Sequence, residues 1–451
     1  MEVKYPQPTL LRIFLPVCLT ALMFLPGISS ADGMENSGTD TQQLIQILKD
    51  KGLLTDEDLA KIQTRIKEQK EKKAQDEMAP VKIQGRVQFR YMNIEDFDPS
   101  TKIPPLDANG FRLQRVRLFF SGTAVPKVDY YIHLNFDQGT DGRVWDAYLQ
   151  YNISPEWGHV RMGQYKVPFG RQWLASSARF LFMNRSNIGD YAGFRRDIGV
   201  MYEKYSFTEH YQDAFAEADM TEPNVNYAFG IFNGNHIADG NGFLSGSDLT
   251  SARVGSGNDN DQYLYVSRLS LTPVKREEGF KYLTFGASAA YQKQPTNGER
   301  FIQDDTKKAL FDVTSGNPWK ASDWEAAWEV DSQWIIGQAV FQAEYLRRKL
   351  AADGLLTFTN ARQARSVTAD GWYVQGGYFV VPKKLSLNAR YETYDPNNQV
   401  KSQNDYDRYT LGFNYYINGN NFKLQGDYNW QDEAVEDLNN DFWELQLQLL
   451  F

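Results

Sequence analysis

From Val81 to Phe451 the chain repeats one pattern: apolar and polar side chains alternate with a period of two. Residues two apart share a face of an extended strand. In 81–92, Val81, Ile83, Val87, Phe89 and Tyr91 lie on one face, and Lys82, Gln84, Arg86, Gln88 and Arg90 on the other. The pattern returns at Val128–Phe136, Leu283–Tyr291, Leu385–Tyr391, Tyr409–Ile417 and Phe422–Trp430. Charged residues occupy the second face too often for a packed protein interior. One face toward lipid and one toward water is the pattern of a transmembrane antiparallel β-barrel, an all-β fold. A mean hydropathy of -0.55 beside 14% aromatic residues fits, because a barrel alternates its apolar residues instead of clustering them. Beyond the N-terminal segment no apolar run reaches the roughly 18 residues of a spanning helix, which excludes a helical membrane protein.

Sixteen candidate strands are centred near residues 87, 117, 132, 147, 162, 200, 228, 266, 286, 328, 340, 376, 389, 412, 426 and 447. The segments near 214 and 328 are ambiguous. Long connections (93–110, 167–195, 233–260, 293–323, 347–370, 395–406, 432–441) alternate with short ones such as 124–127, 152–156, 382–384 and 418–420. Only 138–142 is short where a long one is expected. Short periplasmic turns and long outer loops are the habit of outer-membrane barrels. The last strand puts Trp443, Leu445, Leu447, Leu449 and the terminal Phe451 on one face, and a strand ending in Phe reads as an outer-membrane assembly signal.

The N-terminus agrees with export. Lys4 and Arg12 precede the apolar Ile13–Leu25, then Pro26, Gly27 and small residues to Ala31: a signal peptide over 1–31. The only cysteine, Cys18, lies inside it, so disulfides and Cys-based metal sites or nucleophiles are excluded downstream. Residues 32–80 have helical spacing instead (Leu44, Ile47, Leu48; then Leu59, Ile62, Ile66), ahead of the charged run 67–77. This periplasmic segment reads either as a solvated spacer helix or as a short coiled coil that helps an oligomer form. The barrel domain is 81–451.

Several stretches resemble the phosphate-selective porin O and P family: Phe111–Gly122 (FRLQRVRLFFSG), Asp146–Tyr151 (DAYLQY), Gly163–Gly170 (GQYKVPFG) and Phe182–Ser186 (FMNRS). A helical segment ahead of the barrel, like LIQILKDKGLLTDEDLAKI here, is also common in that family. The resemblance implies a sixteen-stranded porin, usually a homotrimer in outer-membrane lipid, whose third outer loop folds inward and narrows the lumen. Phosphate selectivity belongs to only some members.

That loop, 167–195, carries Arg171, Arg179, Arg185 and Arg195, with Arg196 next, against one acid, Asp190. Phe169, Trp173, Phe180, Phe182 and Tyr191 offer it apolar anchorage. By parity Arg86 and Arg90 in the first strand and Arg115 and Arg117 in the second face the lumen, and Lys166 ends the fifth strand. Arginine suits oxyanions because its planar fork binds them in pairs and stays charged. These ten residues are the candidate anion-binding constriction. The competing reading pairs the arginines with Asp129, Asp137, Asp146 and Asp197 to stiffen the wall. Glu325, Glu329, Asp331, Glu344, Glu392 and Asp427 give the lumen an acidic half as well. Loop 233–260 reads as a flexible surface loop, with divalent-cation binding as its alternative.

The four histidines (His133, His159, His210, His236) lack metal-ligand spacing, and neither a nucleophile elbow nor a phosphate-cradling loop occurs, so neither an enzyme nor a cofactor is expected. A net charge of -9 argues against nucleic acid as a partner. The expectation is a passive pore for small hydrophilic, preferentially anionic, solutes. The alternative is a barrel sheathing a partner protein such as an electron carrier.

Overall fold

The computed structural model describes residues 81–94, 109–136, 143–191, 194–205, 207, 224–234, 262–272, 280–293, 322–357, 362–401, 405–435 and 441–451. The signal peptide, the helical segment 32–80, the segment near 214 and most of loop 233–260 lie outside them.

Sixteen strands follow in order: β1 (Lys82–Ile94), β2 (Gly110–Val125), β3 (Val128–Asn135), β4 (Arg143–Ser154), β5 (Gly158–Lys166), β6 (Arg196–Glu203), β7 (Asn224–Phe232) and β8 (Leu264–Thr272) form the first half. The second half is β9 (Phe280–Lys293), β10 (Ser322–Ile336), β11 (Ala339–Thr357), β12 (Gln363–Val381), β13 (Leu385–Asp395), β14 (Tyr406–Asn418), β15 (Phe422–Glu433) and β16 (Phe442–Leu450). Each strand pairs antiparallel with its sequence neighbours, and β1 pairs with β16 from Arg86↔Leu450 to Ile94↔Phe442, so the sheet closes. Closure leaves no unpaired strand edge, which lipid would not tolerate.

Parity decides the faces. Phe89, Leu113, Val200, Leu269, Val374, Leu411 and Leu447 are exposed on the outside, whereas Gln88, Arg268, Gln375, Thr410 and Gln446 are buried within. Connections 126–127, 155–157, 337–338, 382–384 and 419–421 are short and share one end with both ends of the barrel chain. Lys127 (φ 66°) and Lys383 (φ 58°) take the left-handed backbone that such tight reversals need.

The barrel seam is finished by the last residue. Gly85 N–H donates to the Phe451 carbonyl at 2.7 Å, and Phe451 N–H returns a bond to Gly85 at 3.1 Å. A Cβ at Gly85 would fall against the Phe451 ring, so a larger residue there displaces the ring.

All sixteen expected strands are present, including the ambiguous one near 328. One expected loop is corrected. Residues 347–370 are mostly strand, because β11 and β12 stay paired from Ala339↔Tyr378 to Ala351↔Ser366. Here the alternation inverts. Arg347 and Lys349 point out, while Leu346, Leu350, Val367 and Ala369 are buried inside. With Arg348 the exception on the inner face, a hairpin polar outside and largely apolar inside reads as a loop when a barrel is expected to show the opposite.

Candidate functional site

The connection from β5 to β6, residues 167–195, folds into the barrel with two short helices, α1 (Arg171–Leu174) and α2 (Asn187–Tyr191). Its neck is tied where Val167 N–H donates to the Arg195 carbonyl at 2.9 Å, and the Trp173 indole donates to the same oxygen at 3.2 Å. Arg195 has a left-handed backbone (φ 50°), which aims that carbonyl back into the loop. Phe169, Trp173, Ile188 and Phe194 form an apolar core with Leu346, Leu350, Val367 and Ala369 of the wall. The loop aromatics Phe169, Trp173, Phe180 and Phe182 are all buried, the anchorage that their spacing suggested.

Polar anchors sew the loop to the wall from β9 round to β1. Gly170 N–H donates to Ser288 at 3.3 Å. Arg171 bonds Asp331 at 2.5 Å and Gln333 at 2.9 Å. The two oxygens of Glu344 accept the N–H groups of Arg171 and Gln172, each at 3.1 Å. Gly170 has to be glycine: its φ is 78° and a Cβ would stand 2.9 Å from the Glu344 carboxylate. Further along, Glu392 accepts Asn187 N–H at 3.3 Å, Asp427 accepts Met183 N–H at 2.7 Å, and Glu444 accepts the Asn184 amide at 2.8 Å. Arg390 and Arg408 flank Glu392 at 3.3 and 3.5 Å, Arg268 bridges Glu329 and Asp331, and Arg348 pairs with Glu325. A hydrogen bond to a charged group contributes roughly 1.5–3 kcal/mol. The acidic half of the lumen is thus the mooring of the loop.

The other face of the loop borders a cavity of about 920 Å³ against β1–β5. Among the described residues ten basic side chains line it and two acidic ones, Asp129 and Asp146. Lys166 spends its ammonium on the carbonyls of Trp173 (2.7 Å), Ala175 (3.2 Å) and Leu174 (3.3 Å), and Arg185 donates to the Gln172 carbonyl at 3.0 Å. These carbonyls hold both cations in place beside the cavity. Both also sit over the Trp173 ring, at 5.3 and 4.8 Å. Arg86 donates to Ser177 at 2.8 Å and Ser176 at 3.0 Å. Arg117 lies 4.0 Å over Trp145 and bonds Asn135, while Arg115 donates to Gln88. Arg196 pairs with Asp146 at 2.8 Å, and that carboxylate also meets His133 Nδ1 at 2.7 Å. At the opposite mouth burial works against the Lys401 charge, but its bond to Asp395 and the nearby Asp405 and Asp370 carboxylates raise it above the ordinary lysine range.

Of the ten expected site residues, Arg86, Arg115, Arg117, Lys166, Arg179, Arg185, Arg195 and Arg196 border the cavity. Two do not. Arg171 is turned to the far wall by Asp331, and Arg90 is held in the seam by Glu444 at 2.9 Å and Gln446 at 2.8 Å. Arg196–Asp146 is one wall pair that the competing reading expected, whereas Asp129 is taken by Thr123 and Asn152. Arg161 and Lys82 were missed, although strand parity with His159 and Gln84 places both on the lumen face. Among the described residues no cluster of His, Asp and Glu could hold a metal.

Solved structures share this fold at low identity. OmpT, an outer membrane protein of Vibrio cholerae, is 14% identical with a TM-score of 0.50 over 82% of this chain and 97% of its own. OmpF of Salmonella typhi, solved in complex with daunomycin, is 12% identical with a TM-score of 0.50 over 83% and 99%. An uncharacterized protein of Aquifex aeolicus is 23% identical over 96% of this chain and 99% of that one. Residues 81–451 match the family described as phosphate-selective porin O and P. With its closed sixteen-stranded barrel and inward loop, the chain is an outer-membrane porin, a channel, and belongs to the phosphate-selective porin O and P family.

Proposed function

We propose that the pore passes small anions passively through the cavity between the inward loop and β1–β5. The observation that carries this reading is the imbalance of ten basic to two acidic side chains around that space among the described residues. Asp331, Glu344, Glu392, Asp427 and Glu444 accept bonds from the loop on its other side, whereas Glu203 pairs with the cavity-lining Arg161 at 2.9 Å. Near such a wall an ion about 4 Å from one cation gains roughly 4 kcal/mol at an effective dielectric near 20. Acidic groups on outer loops are screened beyond roughly 8 Å at about 0.15 M salt. Oxyanions suit the guanidinium fork best. The inward loop fills lumen that a sheathed partner protein would need, which disfavours the scaffold alternative.

The same proposal includes a cleaved signal peptide over 1–31, a periplasmic helical segment over 32–80 and assembly as a homotrimer. Selectivity is tested by the reversal potential in a salt gradient, for wild type and for Arg179→Ala, Arg185→Ala and Arg195→Ala. The wild type is expected to prefer anions, and each substitution to move the potential toward zero. A cation-preferring wild type, or three variants without a shift, refutes the reading.

A further inference from the structure

Across the cavity from the loop, three rings stand in a row on adjacent strands. Phe119 of β2, Tyr131 of β3 and Tyr148 of β4 share the lumen face. Tyr131 and Tyr148 are register partners, with centroids 5.3 Å apart and planes 24° from parallel, and Phe119 follows at 6.3 Å from Tyr131. All three keep part of their surface open, unlike Tyr165, which continues the row edge-on at 5.8 Å and is buried. Guanidinium groups close the row at both ends: Arg86 lies 5.5 Å from the Phe119 ring and Arg161 lies 4.4 Å from that of Tyr148. Arg86, Tyr131 and Arg179 line the same cavity. The Arg179 guanidinium has no hydrogen-bond partner among the described residues.

A lone inorganic oxyanion explains little of this. The cavity, about 920 Å³, has the size of sites that enclose organic molecules, roughly 300–1,000 Å³. The loop does not need these rings either, since its anchoring rings pack elsewhere, Phe169 on Phe194 and Phe182 under Arg390. Stacked open rings bounded by cations offer an apolar flat surface beside positive charge. Resting on the anion-pore reading, we propose that the cavity takes small carboxylates that bear an aromatic ring. The ring lies offset against Tyr131 and Tyr148, the geometry that aromatic pairs prefer. The carboxylate meets the open fork of Arg179.

The test uses the purified full-length protein in a planar bilayer, with benzoate, butyrate and inorganic phosphate as probes. Each is added to a chloride solution and the half-blocking concentration of the chloride current is read. Benzoate is expected to block at a concentration about five-fold below butyrate, the gain of one stacking partner. Tyr131→Leu and Tyr148→Leu keep an apolar side chain but remove the ring, and should abolish that difference while leaving chloride selectivity unchanged. Chloride conductance in each variant shows that the barrel is folded. Equal block by benzoate and butyrate in an anion-preferring wild type overturns the proposal. So does a difference that persists in both variants, or a phosphate block tighter than benzoate and untouched by the substitutions. A cation-preferring wild type refutes the anion reading beneath it instead.

Discussion

Removing the first mooring of the loop should change how the channel conducts without dissolving the barrel. Arg171→Ala deletes the bonds to Asp331 (2.5 Å) and Gln333 (2.9 Å) and leaves Arg268 as the guanidinium between Glu329 and Asp331. Because Asp331 keeps Arg268 as its partner, the loss is that of a hydrogen bond to a charged group, about 1.5–3 kcal/mol. At about 1.4 kcal/mol per tenfold change, the equilibrium for releasing the start of the loop rises roughly 10 to 10²-fold. Glu344 still holds the N–H groups of residues 171 and 172, so the single variant keeps a second anchor. Arg171→Ala combined with Glu344→Gln removes both charges from that corner. The wall itself stays paired along β10 and β11, so barrel formation should survive. Single-channel recording should show larger mean conductance and more frequent transitions, greatest in the double variant, with heat-modifiable migration retained. Wild-type conductance and noise in a folded double variant would show that apolar packing alone holds the loop, and the reasoning about its moorings would fail.

Deleting Phe451 should lower the yield of folded outer-membrane protein and leave protease-sensitive chain in the periplasm, read by heat modifiability; a normal yield would refute its role as an assembly signal. Gly85→Leu, which crowds the seat of the same ring, should reproduce part of that loss. Removing residues 32–80 should leave a barrel that inserts and conducts. If conductance persists while the trimer is lost, the coiled-coil reading of that segment gains, whereas failure to insert would refute its accessory status.

Two kinds of information were legible in the sequence to different depths. Strand number, order and face follow from a period of two, because a closed antiparallel barrel in lipid allows each side chain only two destinations. The outward side of Phe89 and the inward side of Gln88 therefore follow from parity alone. The hairpin beyond the membrane at 347–370 escapes that rule, since no lipid stands outside Arg347 and Lys349 to impose the usual order. Partners are harder still. Arg86 and Arg90 share a face four residues apart, yet Arg86 borders the cavity and Arg90 is spent on Glu444 of a strand 354 residues away in sequence. Parity gives the side and says nothing about which long-range neighbour arrives there.

The acidic residues make the same point about charge. In a chain with a net charge of -9, ten basic and two acidic side chains among the described residues line the cavity, because other lumenal acids have structural employment. Asp331, Glu344, Glu392, Asp427 and Glu444 read from the sequence as an opposing half of the pore. In the fold they accept N–H and guanidinium bonds from the loop, on the side away from the cavity. Lys166 and Arg185 border the cavity and donate to carbonyls of the loop itself. A census of charges weighs all of these equally. The field inside the cavity weighs an acid by whether a cation already answers it and by the loop that stands between, so the sign of the pore follows from the pairing and not from the sum.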